Sequence, residues 1–251
     1  MRRCRTKIDR IRDWSKSYVK SWHLRHEKLQ ETKRDFDFQW SKISSPQMRF
    51  SGERIAEFLS ITKLNREFFK GKSCLDAGCG TGRWTYAMLR LDAKVDSFDI
   101  SPSAIESCKS INPNAKLMSI YELQPNPKYD FVLCWGVLHH LPDPELGFKK
   151  VSRQVRNGGI LHVMVYNRKA QAPYEEGRRL WPRLDVTQRL AYCRKMILLH
   201  GGNLHGWWDA LNPEYNFSYS VGEIETWFKN EGFEHIILTT EGNINMRAIR
   251  H

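Results

Sequence analysis

The 251-residue sequence contains no CxxC pair, although it carries six cysteines at Cys4, Cys74, Cys79, Cys108, Cys134 and Cys193. That spacing excludes zinc ribbons and fingers, and scattered thiols fit small buried hydrophobes in a reducing compartment. No HExxH is present and no other metal-ligand spacing is visible, so no metal site is expected. No stretch approaches the roughly 18–20 continuous apolar residues of a membrane span, and mean hydropathy is −0.58. The first 25 residues lack the apolar centre of a secretory signal. Asp9 and Asp13 interrupt their arginine content, as transit peptides do not. A cytoplasmic location is therefore the expectation. Internal repeats and low-complexity tracts are absent too.

What is present suits a globular enzyme-sized domain. Apolar residues make up 41% of the chain and aromatics 12%, nine of them Trp, enough to build a core. The net charge of +12 is uneven: residues 1–50 hold 14 Lys and Arg against 6 Asp and Glu. A basic arm of this kind meets nucleic acid, an anionic membrane surface, or only water.

Residues 1–12 read as a solvated basic tail. Trp14, Tyr18 and Trp22 recur every four residues and predict a helix from Asp13 to about Lys33. The segment Asp35–Trp40 breaks that period, and residues 52–70 resume it. From Gly71 strands and helices alternate. Strands are predicted at Ser73–Ala77, Lys94–Ile100, Lys116–Ile120, Tyr129–Trp135 and Ile160–Tyr166, the last after an Asn157-Gly158-Gly159 turn. Helices are predicted at Thr81–Leu91, after the Ser101-Pro102 cap, and from Asp143-Pro144 to about Arg156. Residues 168–219 lose the rhythm, with a helix at Val186–Leu199 and a loop over 200–219. Ser220 and Glu223 form a capping box for a last helix. Phe233–Thr240 and Ile244–Ile249 are joined by so short a turn that they must be antiparallel. The fold class is therefore α/β: a Rossmann-like seven-stranded sheet, parallel except for a C-terminal antiparallel hairpin, with helices on both faces.

The strongest local signal is Leu75-Asp76-Ala77-Gly78-Cys79-Gly80-Thr81-Gly82, a strand running through a glycine loop into a helix. Its GxGxG spacing is neither the GxGxxG of dinucleotide folds nor a P-loop. Asp99 closes the next strand, where a carboxylate can accept hydrogen bonds from a ribose. With LDAGCGTG at 75–82, DSFDIS at 96–101 and YDFVLCWGVLHHLPDP at 129–144, the sequence resembles the class I S-adenosylmethionine-dependent methyltransferases of small-molecule type. The resemblance covers residues 71–167 closely and 220–251 by architecture. It implies S-adenosyl-L-methionine as cofactor. Asp76 and the loop Gly78, Cys79, Gly80 and Gly82 would cradle the methionine part, Asp99 would hold the ribose, and Ile100 would flank the adenine. Cys134, Trp135 and Gly136 would lie beside the transferring methyl. Where relatives often carry an acid after strand three, this chain has Ser119, with Ile120 and Tyr121 left to pack the base.

Methyl transfer is an in-line displacement, and a base is needed only when the acceptor must lose a proton. His139, His140 and Tyr166 stand at the sheet's C-terminal edge, where open α/β sheets bind ligands, and are the catalytic candidates. Residues 168–219 fall where small-molecule methyltransferases insert a lid, and its aromatics suit a water-excluding wall. Trp207, Trp208, Tyr215 and Tyr219 are the acceptor-side candidates there, with Trp40 and Arg49 from the N-terminal side. The chain then divides into a basic, partly helical extension over 1–50 and a methyltransferase domain over 51–251. The leading expectation is methyl transfer to oxygen or nitrogen of a metabolite, natural product or sugar. The alternatives are an RNA (tRNA) methyltransferase gripping phosphates with the arm, a variant resting that arm on an anionic membrane, and a non-catalytic cofactor-binding module. [DN]-P-P-[YFW] is missing after strand four and no Pro-Cys pair occurs, against amino- and C5-methylating DNA enzymes.

Overall fold

The structure is a computed structural model that describes residues 29–43, 51–240 and 242–251. The 1–12 tail, the Trp14, Tyr18 and Trp22 stripe, and Arg49 lie outside the described residues. Seven strands form one sheet: β1 (Ser73–Ala77), β2 (Lys94–Asp99), β3 (Lys116–Leu117), β4 (Tyr129–Trp135), β5 (Val155–Val165), β6 (Phe233–Thr240) and β7 (Ile244–Arg250). Their spatial order is β3-β2-β1-β4-β5-β7-β6. The first five run parallel, and β7 pairs antiparallel with both β5 and β6. Chain order reverses between β1 and β4, which opens a crevice at the C-terminal ends of the strands.

Both sheet faces are apolar because helices cover both. Phe131, Val132, Leu133 and Cys134 of β4 are all fully buried. Period-two alternation sends Phe131 and Leu133 into a layer with Phe58, Phe69 and Met88, and Val132 and Cys134 into the opposite layer with Phe148 and Phe228. The covering helices are α1 (Gly52–Thr62), α2 (Arg66–Phe69), α3 (Arg83–Leu89), α4 (Pro102–Cys108), α5 (Pro144–Ser152) and α9 (Val221–Asn230). Their starts are fixed locally. Ser101 and Asp143 accept from Ala104 and Leu146 backbone N–H groups with proline at the first helical position, and Ser220 and Glu223 form the expected box.

Several local expectations are corrected. The 52–70 helix is split where Lys63 turns left-handed at φ 52° and caps α1. β3 stops at Leu117, because Ser119 and Glu122 form a capping box on a short 3₁₀ turn. Asn157-Gly158-Gly159 lies inside β5 at a register shift against β4, not in a turn before it. Residues 35–38 continue a helix running over 29–38, which widens into a π-turn at Gln39–Ile43. Residues 168–219 hold more helix than expected: α6 (Glu175–Leu180), α7 (Val186–His200) and α8 (Leu204–Leu211). Among the described residues, no helix is long and apolar enough to cross a membrane.

Candidate active site

The crevice above β1 and β4 is a cavity of about 870 Å³. Its floor begins with the loop after β1, where Gly78, Gly80 and Gly82 adopt φ of 79°, 53° and 94°. Side chains rarely adopt these angles. A Cβ on Gly80 would lie 2.6 Å from the Trp40 indole, so only glycine lets the two meet. Asp99 ends β2 and shapes the same loop: its Oδ2 accepts the Gly80 N–H at 2.8 Å and its Oδ1 the Ser101 N–H at 2.9 Å. A carboxylate has about four acceptor positions, so Asp99 keeps capacity toward the cavity it lines. Burial pushes its pKa up against those hydrogen bonds.

The cofactor candidates divide into two groups. Gly78, Cys79, Gly80, Asp99, Ile100, Ser119, Ile120, Trp135 and Gly136 line the cavity. Asp76, Gly82, Tyr121 and Cys134 do not, and each has an internal role. Asp76 lies beneath the loop and accepts from Thr85 Oγ1 at 2.6 Å; desolvation raises its pKa to about 7. Gly82 caps α3, where a Cβ would strike Ile111 and Cys108. The Tyr121 hydroxyl accepts the Asp143 N–H and donates to the Asp143 carbonyl, tying β3's end to α5. Cys134 packs in the core.

The cavity's far wall comes from two segments that meet over the sheet edge. The N-terminal helix is latched by Asp37, whose Oδ1 accepts both Ser101 Oγ and the Ser103 N–H at 2.8 Å. The latch sets Trp40 against the glycine loop and against His205, with ring centroids 4.9 Å apart. From the other side α8, capped by Asn203, presents His205 and Asp209 four residues apart on one face. Its other face buries Trp207 and Trp208 in a small core with Trp181, Cys193 and Leu211. Trp208 stacks on Phe38 of the N-terminal helix at 5.5 Å. The expectation that Trp207 and Trp208 line the cavity is therefore corrected: they hold α8 in place, and His205, Gly206, Asp209 and Ala210 do the lining. Tyr215 and Tyr219 also stand off the cavity. Tyr215 offers its carbonyl to His140 Nδ1 at 2.8 Å, and Tyr219 bonds back to Tyr166 and packs on Trp227.

The catalytic candidates are close together, but none presents a simple base. Tyr166 lines the cavity and donates to Asp209 Oδ2 at 2.6 Å; burial and that carboxylate drive its pKa well up. His139 is fully buried behind the wall, its pKa driven well down by desolvation and by His140. It stacks on Tyr166 at 3.8 Å. His140 lines the cavity with Nε2 3.5 Å from Asp209 Oδ2. Asp209 also accepts from Gln39 at 3.0 Å; burial pushes its pKa up, but His140, His205 and the Tyr166 hydroxyl together hold it far below the usual carboxylate range. Sequence reasoning missed Asp37, Gln39 and Asp209 as site residues and passed over His205. The one available signal was the apolar period of Leu204, Trp207, Trp208 and Leu211, masked by flanking glycines and proline.

A model of the methyltransferase domain matches residues 49–238. The chain belongs to that family, the class I S-adenosylmethionine-dependent methyltransferases that its sequence resembles. A ubiquinone biosynthesis O-methyltransferase of Coxiella burnetii is 31% identical over 110 residues, 41% of this chain and 47% of that protein. The Xanthomonas oryzae protein of the same name is 29% identical over 106 residues, 39% of this chain and 44% of its own. The chain thus spans less than half the length of these curated relatives. Among solved structures, the Burkholderia thailandensis 1,6-didemethyltoxoflavin-N1-methyltransferase, with 1,6-didemethyltoxoflavin and S-adenosylhomocysteine bound, superimposes with a TM-score of 0.56. The identity is 16%, and the match covers 90% of both chains. An S-adenosylmethionine-dependent methyltransferase structure from Listeria monocytogenes, titled as putative, gives 0.53 at 19% identity, covering 78% of this chain and 98% of that one. At these identities the likeness is one of fold.

Proposed function

We propose that the protein transfers a methyl group from S-adenosylmethionine to an oxygen or nitrogen of a small-molecule acceptor. The observation that carries this reading is the cavity itself, with the glycine loop and Asp99 at one end, Tyr166, His205 and Asp209 at the other, and Trp40 touching both Gly80 and His205. Its volume suits two small ligands held together. The cradle fits the cofactor. Gly78 and Gly80 line the cavity where Val137 and Trp40 pack too closely for any side chain, Asp99 accepts at the ribose, and Ile100, Met118, Ser119 and Ile120 offer an apolar slot with one hydroxyl for the base. When bound, the cofactor supplies an activated methyl on a sulfonium. The chain aligns the acceptor and excludes water, the main work in such a displacement. For an acceptor that must lose a proton, His205 is an imidazole on the acceptor wall beside His140, its pKa lowered by burial against the pull of Asp209. The names of the Coxiella and Burkholderia proteins place their methylations on small molecules, one at oxygen and one at nitrogen. In this reading 29–43 and 168–219 together form the lid over a domain that starts near residue 51. The test is radiolabelled methyl transfer to panels of phenols, amines and sugars, with bulk tRNA alongside at two salt concentrations. Labelling of a small acceptor supports the reading. Labelling of tRNA alone, falling steeply with salt, would replace it with the RNA alternative.

A further inference from the structure

We propose that His139, His140 and Asp209 form a site for a first-row divalent cation of the zinc type, at the acceptor end of the cavity. Their ligand atoms all lie within 4.8 Å of one another. Tetrahedral zinc with bonds of about 2.1 Å holds its ligands roughly 3.4 Å apart, so small side-chain rotations close the set. Two imidazoles and one carboxylate are a borderline donor set that suits zinc, iron, cobalt or manganese over magnesium or calcium.

Three independent features point to a cation. First, the hydrogen bond of His140 fixes its tautomer. The Tyr215 carbonyl can only accept, so Nδ1 carries the proton, and in the neutral ring Nε2 turns its lone pair toward Asp209 Oδ2. Two acceptors facing each other at 3.5 Å repel, so a positive centre belongs between them, either a second ring proton or a metal ion. Second, His139 is fully buried and neither of its ring nitrogens has a hydrogen-bond partner among the described residues. A buried polar group left this way is costly, and lending one ring nitrogen to a metal satisfies half of it. Third, the outer partners are those of a metal site. A backbone carbonyl orients His140, while Gln39 and Tyr166 both donate to Asp209.

His139 would hold the ion from behind and Asp209 from the cavity side, leaving an open position toward the acceptor. An ion there lowers the pKa of a bound hydroxyl, so an acceptor oxygen ionises near neutral pH. This role, unlike the binding, rests on the methyltransferase reading above.

The experiment uses the full chain, stripped of metal by chelator and titrated with Co²⁺ followed by absorption and with Zn²⁺ followed by calorimetry. The expected result is one equivalent bound, with visible d–d bands of a four- or five-coordinate ion. His139→Ala and Asp209→Asn should each weaken binding at least about tenfold, and Tyr166→Phe by about 10-fold or more through loss of its hold on Asp209. Circular dichroism establishes that each variant is folded. Absence of binding to the folded wild type would overturn the proposal. Stoichiometric binding that survives both ligand substitutions would overturn it as well, placing the ion elsewhere. S-adenosylhomocysteine titration of the same sample separates the two readings. Cofactor binding without metal binding removes the cation and leaves the methyltransferase reading standing.

Discussion

Asp37→Ala should loosen the cofactor site without touching it. Asp37 holds the N-terminal helix to the end of β2 through two hydrogen bonds on one carboxylate oxygen, from Ser101 Oγ and the Ser103 N–H. Ser101 also donates its N–H to Asp99, so the latch sits two residues from the carboxylate proposed to hold the ribose. Hydrogen bonds to charged groups contribute about 1.5–3 kcal/mol when buried. Asp37 is only half-buried, and solvent screening reduces the pair to about 1 kcal/mol. The helix carries Trp40 onto Gly80, so that loss should reach the cofactor as an affinity about fivefold weaker. The assay is calorimetric titration with S-adenosylhomocysteine, with thermal unfolding recorded in parallel. Asp37→Asn keeps the accepting oxygen but not its charge and should show a smaller part of the same loss. The latch is also sensitive to acid. Burial opposes it, but the Ser103 and Ser101 hydrogen bonds hold the Asp37 pKa below the usual range. Its contribution is therefore present above pH 4 and lost as pH falls through that lowered value. Unchanged affinity in Asp37→Ala, with the fold intact, would refute the idea that this helix closes the site.

Three further outcomes are expected. Gly80→Ala forces a side chain to φ 53°, a cost of about 1–2 kcal/mol, and drives its Cβ into Trp40, so cofactor affinity should fall at least about tenfold by calorimetry. Trp208→Ala should cost about 3–5 kcal/mol in denaturant unfolding because it empties the core behind α8, whereas His205→Ala should lower turnover with little change in stability. Asp76 binds its proton more tightly in the native state, at a pKa of about 7, than in the unfolded chain. Its ionisation therefore reduces stability as pH rises from about 4 to 7, and Asp76→Asn should gain on wild type across that window in unfolding measured against pH.

The sheet and the glycine loop that floors the cavity were legible in the sequence because they depend on local signals. Strands buried on both faces read as apolar runs, caps such as Ser101-Pro102 and Ser220 announce helices, and the glycine loop needs backbone angles that only glycine adopts freely. The acceptor half was not legible, because it depends on contacts between distant segments. Asp209 owes its place to a helix whose flanking Gly201-Gly202 and Asn212-Pro213 read as loop. Trp207 and Trp208 looked like wall residues by composition, and only the phase of α8 decides that they face inward while His205 and Asp209 face the cavity. Likewise His139, His140 and Asp209 share no spacing that a metal motif would reveal, since a turn and a remote helix supply them. The Asp35–Trp40 segment breaks the apolar period yet stays helical, because Asp37 and Phe38 are anchored by Ser101, Ser103 and Trp208, tertiary partners that local sequence does not display.

The loop after β1 and the carboxylate of Asp99 are proposed to form a binding site for the adenosyl group. Titration of the wild-type chain and of Asp99→Ala with S-adenosylhomocysteine tests it most directly. The account predicts saturable one-to-one binding by the wild type and a loss of at least about tenfold in the folded variant, as removal of a buried charged acceptor requires. Equal affinity in both would contradict the assignment of Asp99, and failure of the folded wild type to bind would contradict the site itself.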